Sequence, residues 1–410
     1  MAAQDAAMSL ATSSAPSAQA SGRFALFDYG FRPFFLLCGL FALIIAPLWL
    51  FRFAHASVPF GTLPGVYWHA HEMVFGFVAA AISGFLLTAV PSWTGSPGFA
   101  GKPLGAVVAL WLAGRVAMAM TDVIPFWLVA LIELSLLPAL LTLIAPPILR
   151  ARNRNVPILA VVTVLWLIDA AFMRALQKGD LLLAAGAARI AVDLVLMLVV
   201  VIGGSIVPAF TGNALRRLNT NVTPVSRGWL EVVAIGSVAA IVICDIFFPN
   251  TVAAGLLAAV AAVAHAARLS GWRSFRVRGE PLLWVLHVAY AWIPIGLALK
   301  AALLLADAGF AAKWQHALTF GAFSTMILAV MTRASLGHTG RPLVVGRAIA
   351  VAYVLLTVGA TLRVFGGAWT PQYYLLTLTA AGLCWSAAFA IFVWVYGPIL
   401  ISPRIDGRQG

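Results

Sequence analysis

Charge is scarce in this chain, and what there is leans one way. Only 10% of the 410 residues are charged, and 13 acidic side chains face 26 basic ones. A water-soluble domain carries about a quarter charged residues, so a soluble globular fold is excluded. Cysteine is nearly absent: Cys38, Cys244 and Cys384 stand singly inside apolar runs, which excludes a disulfide framework and any thiolate metal motif. No Walker loop, dinucleotide glycine motif, zinc-protease histidine pair or Gly-x-Ser-x-Gly elbow occurs in the context that such chemistry requires.

What fills the chain instead is hydrocarbon. Some 62% of the residues are hydrophobic, in long runs that recur along nearly the whole length. A run of about 18 or more can cross roughly 30 Å of bilayer core as a helix. Twelve such spans are expected, at 34–53, 68–90, 104–121, 125–149, 157–173, 183–207, 228–247, 252–268, 281–305, 314–335, 348–365 and 372–397. Helices satisfy their own backbone polar groups, whereas a barrel would show short alternating segments. The expected fold is therefore all-α, a polytopic integral membrane protein with one twelve-helix domain over 31–397. A disordered cytoplasmic tail is expected at 1–30 and a cytoplasmic tail at 398–410; the first 22 residues are rich in Ala, Ser and Gln and lack the apolar core of a cleaved signal.

The net charge of +13 is not a nucleic-acid footprint, because its placement is that of a membrane protein. With the N-terminus inside, the inward ends of the spans gather most of the basic residues, among them Arg150, Arg152, Arg154, Arg273, Arg276 and Arg278. The outward ends hold only Arg52, Arg174, Lys178, Lys300 and Lys313. Positive residues stay on the cytoplasmic side, so both termini are expected in the cytoplasm.

The chain also resembles itself. Pro33, Pro157 and Pro281 each open a span, at intervals of 124 and 124 residues, and proline in the first helical turn costs no hydrogen bond. The ends of spans two, six and ten are alike: "LLTAVPSWTG", "GSIVPAFTGN" and "LAVMTRASLGHTG". These similarities suggest a threefold repeat of a four-helix unit, over 31–150, 151–275 and 276–397.

Against this background "VYWHAHEMVFGF", Val66 to Phe77, places three ionisable groups at the mouth of an apolar helix. His71 opens "HEMVFGF" and, 245 residues later, His316 opens "HALTFGA". The shared His-x-x-x-Phe-Gly places both at the outer end of an inward-running span, with Phe75 and Phe320 one turn below. Polar groups in lipid are costly and functional by default. Neutral imidazole is a frequent ligand of haem iron and of copper, and two histidines on separate helices at one depth can hold a haem from both faces. His71 and His316 are the expected pair. His69 sits about 200° from His71 round a regular helix. It reads either as a further metal ligand or as an interfacial residue beside Trp68 in an aromatic belt. Glu72 is placed to accept an imidazole N–H and fix its tautomer.

Other polar positions are more ambiguous. His287, in "LLWVLHVAYAWIP", reads as a second metal ligand, a proton relay, or a histidine bonded to a neighbouring helix. His338, in "MTRASLGHTGRPL", suits loop capping, anion contact or a proton path; His55 and His265, at helix ends, read as structural. Arg115 and Arg363 each need a carboxylate, which Glu133, Asp169 or a haem propionate could supply through two parallel hydrogen bonds. Arg189 and Asp193, four apart on one helix, are expected to neutralise each other.

Taken together, "FRPFFLLCGLF", "WHAHEMVFGFVAAAISGFLLTAVPSWTG", "IGGSIVPAFTGN", "PLLWVLHVAYAW" and "HALTFGAFSTMILAVMTRASLGHTGRPL" resemble the NnrS family of bacterial membrane proteins, from about Phe31 to Tyr396. The resemblance implies a twelve-helix inner-membrane protein that binds haem and, in some descriptions, copper. It also implies a link to the nitric oxide response and to denitrification. The family's motif histidines correspond here to His69, His71, His287, His316 and His338. The expectation is a haem or haem–copper protein protecting against nitrosative stress. Its partners would be the lipid bilayer and a small gas such as nitric oxide, with an electron donor that the sequence does not name and no nucleic acid. The alternatives are a secondary transporter with an intramembrane His/Glu site, which the proline-interrupted spans would suit, or a factor that hands haem or copper to other enzymes.

Overall fold

The computed structural model describes residues 24–54 and 63–407. Among these there are helices and no strands, and twelve helices are long and apolar enough to cross a membrane. In chain order they are α1 Phe31–Ala54, α2 Gly65–Thr94, α3 Gly101–Ala119, α4 Phe126–Arg150, α5 Val156–Lys178 and α6 Leu181–Arg217. There follow α7 Gly228–Phe247, α8 Val252–Ser270, α9 Pro281–Ala306, α10 Gly309–His338, α11 Arg347–Trp369 and α12 Pro371–Ile401. The chain is a multi-pass membrane protein.

Helices adjacent in sequence pack side by side, and α12 returns to pack along α1, so the bundle closes on itself. The closure is anchored at one end by Arg32, which donates to the carbonyl oxygens of Leu400 (3.0 Å) and Ser402 (2.6 Å) at the end of α12. Terminal carbonyls of a helix lack intrahelical partners and attract a cation. Midway along the pair, the Trp385 indole N–H donates to the Ala42 carbonyl at 2.8 Å. The most buried helices are α2, α6, α9 and α10. With no water-driven force between helices in lipid, such packing and buried polar contacts hold the bundle together.

Four helix details position the candidate sites. Pro64 precedes α2, which starts as a regular helix through His71 and then widens into a π-helix over Glu72–Val78. In α10 a π-helix over Ala317–Ser324 begins directly after His316. In α11 another spans Leu362–Gly366, around Arg363. In α4 the helix breaks at Leu134 and Ser135, immediately after Glu133. Pro138 has no N–H for the Leu134 carbonyl, which accepts instead from the Trp166 indole at 2.9 Å. Wide turns of this kind recur at functional sites because they re-aim side chains and free carbonyls.

Several boundaries differ from expectation. Helix α6 runs 37 residues, well past its apolar stretch, capped at its start by the Asp180 carboxylate on the Leu183 N–H (3.0 Å). Of the expected N-terminal tail, residues 24–30 are packed rather than loose. Ala25 is fully buried and donates its N–H to the Ile401 carbonyl at 2.9 Å, and Tyr29 stacks on His338. The earlier part of that tail, and His55, lie outside the described residues. The C-terminal helix extends to Ile401, so its last turn overlaps the second expected tail. The repeat remains a reading of the sequence: α2 and α10 share the π-helix after a histidine, but α6 is continuous α-helix and carries Asp193 in its first half.

Candidate functional site

The two histidines of α2 diverge, as their spacing requires, and they enter different environments. The His71 ring is fully buried among α2, α3, α4 and α5. Its Nδ1 lies 3.2 Å from Glu72 Oε1, and its Nε2 lies 3.3 Å from Asp169 Oδ1 and 3.7 Å from Glu133 Oε1. Arg115 spans the group, with Nη1 donating to Glu72 at 2.6 Å and Nη2 paired with Glu133. Phe75 and Phe172 close over the imidazole, with ring centroids at 5.2 and 5.6 Å. Two glycines make room for the cluster. A Cβ at Gly76 would stand 2.7 Å from Arg115 Nη1, and one at Gly114 would collide with the Glu133 carboxylate. The π-helix contributes as well: the Gly76 carbonyl accepts the Trp111 indole N–H at 3.0 Å, one turn before Arg115.

His69 faces the other way, into a cavity of about 230 Å³ shared by α1, α2, α6, α10, α11 and α12. Its ring stacks on Trp49 at 4.4 Å, and its buried Nδ1 has no hydrogen-bond partner. His316 lines the same cavity, together with Met73, Phe320, Trp385 and Arg363. Arg363 Nη2 donates to His316 Nε2 at 3.0 Å, while its Nη1 is buried and unpartnered. No carboxylate pairs with Arg363 among the described residues. This corrects the expected pairing. The chamber brings His316 together with His69; His71 does not line it and is enclosed by carboxylates instead. The His-x-x-x-Phe-Gly match picks out two histidines that each precede a π-helix, but the offset of about 200° sends His69, not His71, towards α10.

The remaining expected residues are placed elsewhere. His287 is held on both nitrogens, Nε2 by Thr211 Oγ1 and Nδ1 by Ser274 Oγ, each at 2.9 Å. That is the reading of a histidine bonded to its neighbours, and it leaves no lone pair for a metal. His338 ends α10, 22 residues after His316, about 30 Å along the helix. It stacks with Tyr29 and borders a separate cavity beside Arg333. His265 bonds the Tyr290 hydroxyl at 2.8 Å. Arg189 lies 3.8 Å from Asp245, which Lys300 also contacts at 2.5 Å, rather than pairing with Asp193. Arg115 takes protein carboxylates as its partners, whereas Arg363, with no carboxylate beside it, is left able to meet an external anion.

Glu133 and Asp169 entered the sequence reading only as partners for an arginine, yet both belong to the His71 cluster. The available signal was an acidic residue inside an apolar run, which lipid tolerates only where it is partnered or functional. Because both His287 nitrogens are engaged, His287→Leu is expected to leave metal content unchanged. It should lower stability by about 1–3 kcal/mol through the lost hydrogen bonds to Thr211 and Ser274, read from thermal unfolding in detergent beside metal analysis.

No curated protein matches the chain. The family described as NnrS protein matches residues 25–404, nearly the whole length. A closed twelve-helix bundle with histidines at the wide turns of α2 and α10 agrees with the motifs that carried the resemblance, and the chain belongs to the NnrS family.

Proposed function

We propose that this is a haem-binding protein of the bacterial inner membrane, with both termini cytoplasmic, that acts in the response to nitric oxide. The observation that carries the reading is the cavity shared by His69, His316 and Arg363. Its donor set fits haem: two imidazoles on different helices, one with an unpartnered ring nitrogen, aromatic walls, and a buried guanidinium without a carboxylate. His69 and His316 would hold the iron, and Arg363 would meet a propionate with its free Nη1. Arg363 already donates to the His316 Nε2 lone pair that would bind iron, so the arginine would also govern how freely that nitrogen binds.

Haem iron held by both imidazoles would supply electron transfer, and would offer a position to a diatomic ligand only when one histidine leaves; His316, whose Nε2 can return to Arg363, is the one placed to do so. The chain's own contribution is a largely apolar chamber open to a gas that dissolves in lipid. Trp49 fixes the plane of the His69 ring, and Phe320 and Trp385 wall the chamber against water. Copper is less well served by the expected histidines, because His287 is fully engaged and His338 lies at the far end of α10.

The protein purified in detergent should show a Soret band that shifts when nitric oxide is added to the reduced form. Absence of that band, even after haem supplementation, would overturn the proposal. Substrate uptake by metal-free protein in vesicles would favour a transporter. Metal lost on purification, with other enzymes left unmetallated in a deletion strain, would favour a delivery factor.

A further inference from the structure

We propose that His71, Glu133 and Asp169 form a second site, distinct from the His69–His316 cavity, that binds a non-haem divalent cation through mixed nitrogen and oxygen ligands. The three donor atoms lie within 4.8 Å of one another and come from α2, α4 and α5. His71 Nε2, Glu133 Oε2 and Asp169 Oδ1 are all buried and all without a hydrogen bond. Buried polar atoms are nearly always satisfied, so the orphaned His71 Nε2 and Asp169 Oδ1, 3.3 Å apart, call for a shared partner, to which the neighbouring Glu133 carboxylate with its own unpartnered Oε2 can add a ligand. The separations from Nε2 of 3.3 Å to Asp169 Oδ1 and 3.7 Å to Glu133 Oε1 bracket the spacing of about 3.4 Å between ligands that each stand about 2.1 Å from a tetrahedral zinc ion.

The surroundings are built as the outer layer of a metal site is built. Glu72 accepts from the Nδ1 side of His71 at 3.2 Å, which fixes the tautomer with its Nε2 lone pair directed at Asp169 and Glu133. Arg115 holds Glu72 and Glu133 in turn, and Gly76 and Gly114 leave the space both need. The charge balance agrees. Glu72, Glu133 and Asp169 with one guanidinium and a neutral imidazole leave an enclosed charge of −2, which one divalent ion cancels. One imidazole and two carboxylates suit zinc, manganese or iron(II) and disfavour copper(I), which selects softer sulfur ligands. The site does not depend on haem binding.

The test uses the full-length protein in detergent, stripped with a chelator and titrated with zinc(II) alone. One equivalent should bind and raise the unfolding temperature. X-ray absorption at the zinc edge should show a shell of oxygen and one imidazole. Asp169→Asn, near-isosteric and free of other hydrogen bonds at Oδ1, should weaken zinc binding at least tenfold while the Soret band of the other cavity stays. Glu72→Gln should weaken it by about 10–100-fold without removing a ligand. Absence of zinc binding by the stripped wild type, a zinc shell containing sulfur or several imidazoles, or equal binding by Asp169→Asn would each overturn the site. Should Asp169→Asn fail to fold, the wild-type titration and absorption spectrum decide by themselves.

Discussion

His69→Ala and His316→Ala are each expected to remove nearly all haem from the purified protein, whereas His71→Ala leaves it in place. The divergence of the two α2 histidines dictates this contrast. His69 and His316 line one cavity, while both nitrogens of His71 point to carboxylates in another compartment. Outer partners of a ligand already cost about 10–100-fold in affinity when mutated, and loss of an axial ligand costs more. The Soret absorbance per polypeptide should fall to a small fraction of wild type in the first two variants. Arg363→Met, which keeps both imidazoles and frees His316 Nε2 of its guanidinium, should retain iron ligation but hold haem more weakly through the lost anion contact. Haem loss in His71→Ala with retention in His69→Ala would reverse the assignment. It would restore the pair expected from the His-x-x-x-Phe-Gly match.

The second large effect concerns stability. Arg115→Met is expected to destabilise the bundle by about 3–5 kcal/mol, the usual consequence of stripping one partner from a buried ion pair. Arg115 contacts Glu72 and Glu133 at once, and both carboxylates are almost wholly enclosed. Without the guanidinium they repel each other and Asp169 in a region with no water to screen them. Neutralising one of them should recover part of the loss, so Arg115→Met/Glu133→Gln should unfold at a higher temperature than Arg115→Met alone. Such non-additivity is expected of residues that share one network. Equal unfolding temperatures for wild type and Arg115→Met would show that the cluster contributes nothing to holding α2, α3 and α4 together.

The two sites were unequally legible in the sequence. His71, His316 and Glu72 were conspicuous as ionisable groups in apolar helices, and Arg115 and Arg363 as charges in need of partners. Which imidazole faces which neighbour was not legible. A π-helix adds a residue to the turn and shifts the facing of everything beyond it, and no residue pattern marks where α2 and α10 widen. Glu133 was visible only as an isolated acid in α4. The break that presents it follows from Pro138 four residues beyond Leu134, and its value follows from Asp169 on a different helix. The Arg189–Asp193 expectation failed for a related reason: helical spacing permits that pair, but a carboxylate on another helix, Asp245 of α7, lies nearer the guanidinium.

Composition and the length of the apolar runs, by themselves, settled that the chain crosses the membrane as twelve helices, because each stretch meets the hydrocarbon requirement locally and independently of its neighbours. The motifs settled the family. Only the tertiary structure decided that His69 rather than His71 shares a chamber with His316, and that His71, Glu133 and Asp169 converge. Those facts depend on the rotation of each helix about its own axis. That rotation is set by long-range packing, by glycines at close approaches and by widened turns, none of which a one-dimensional pattern records.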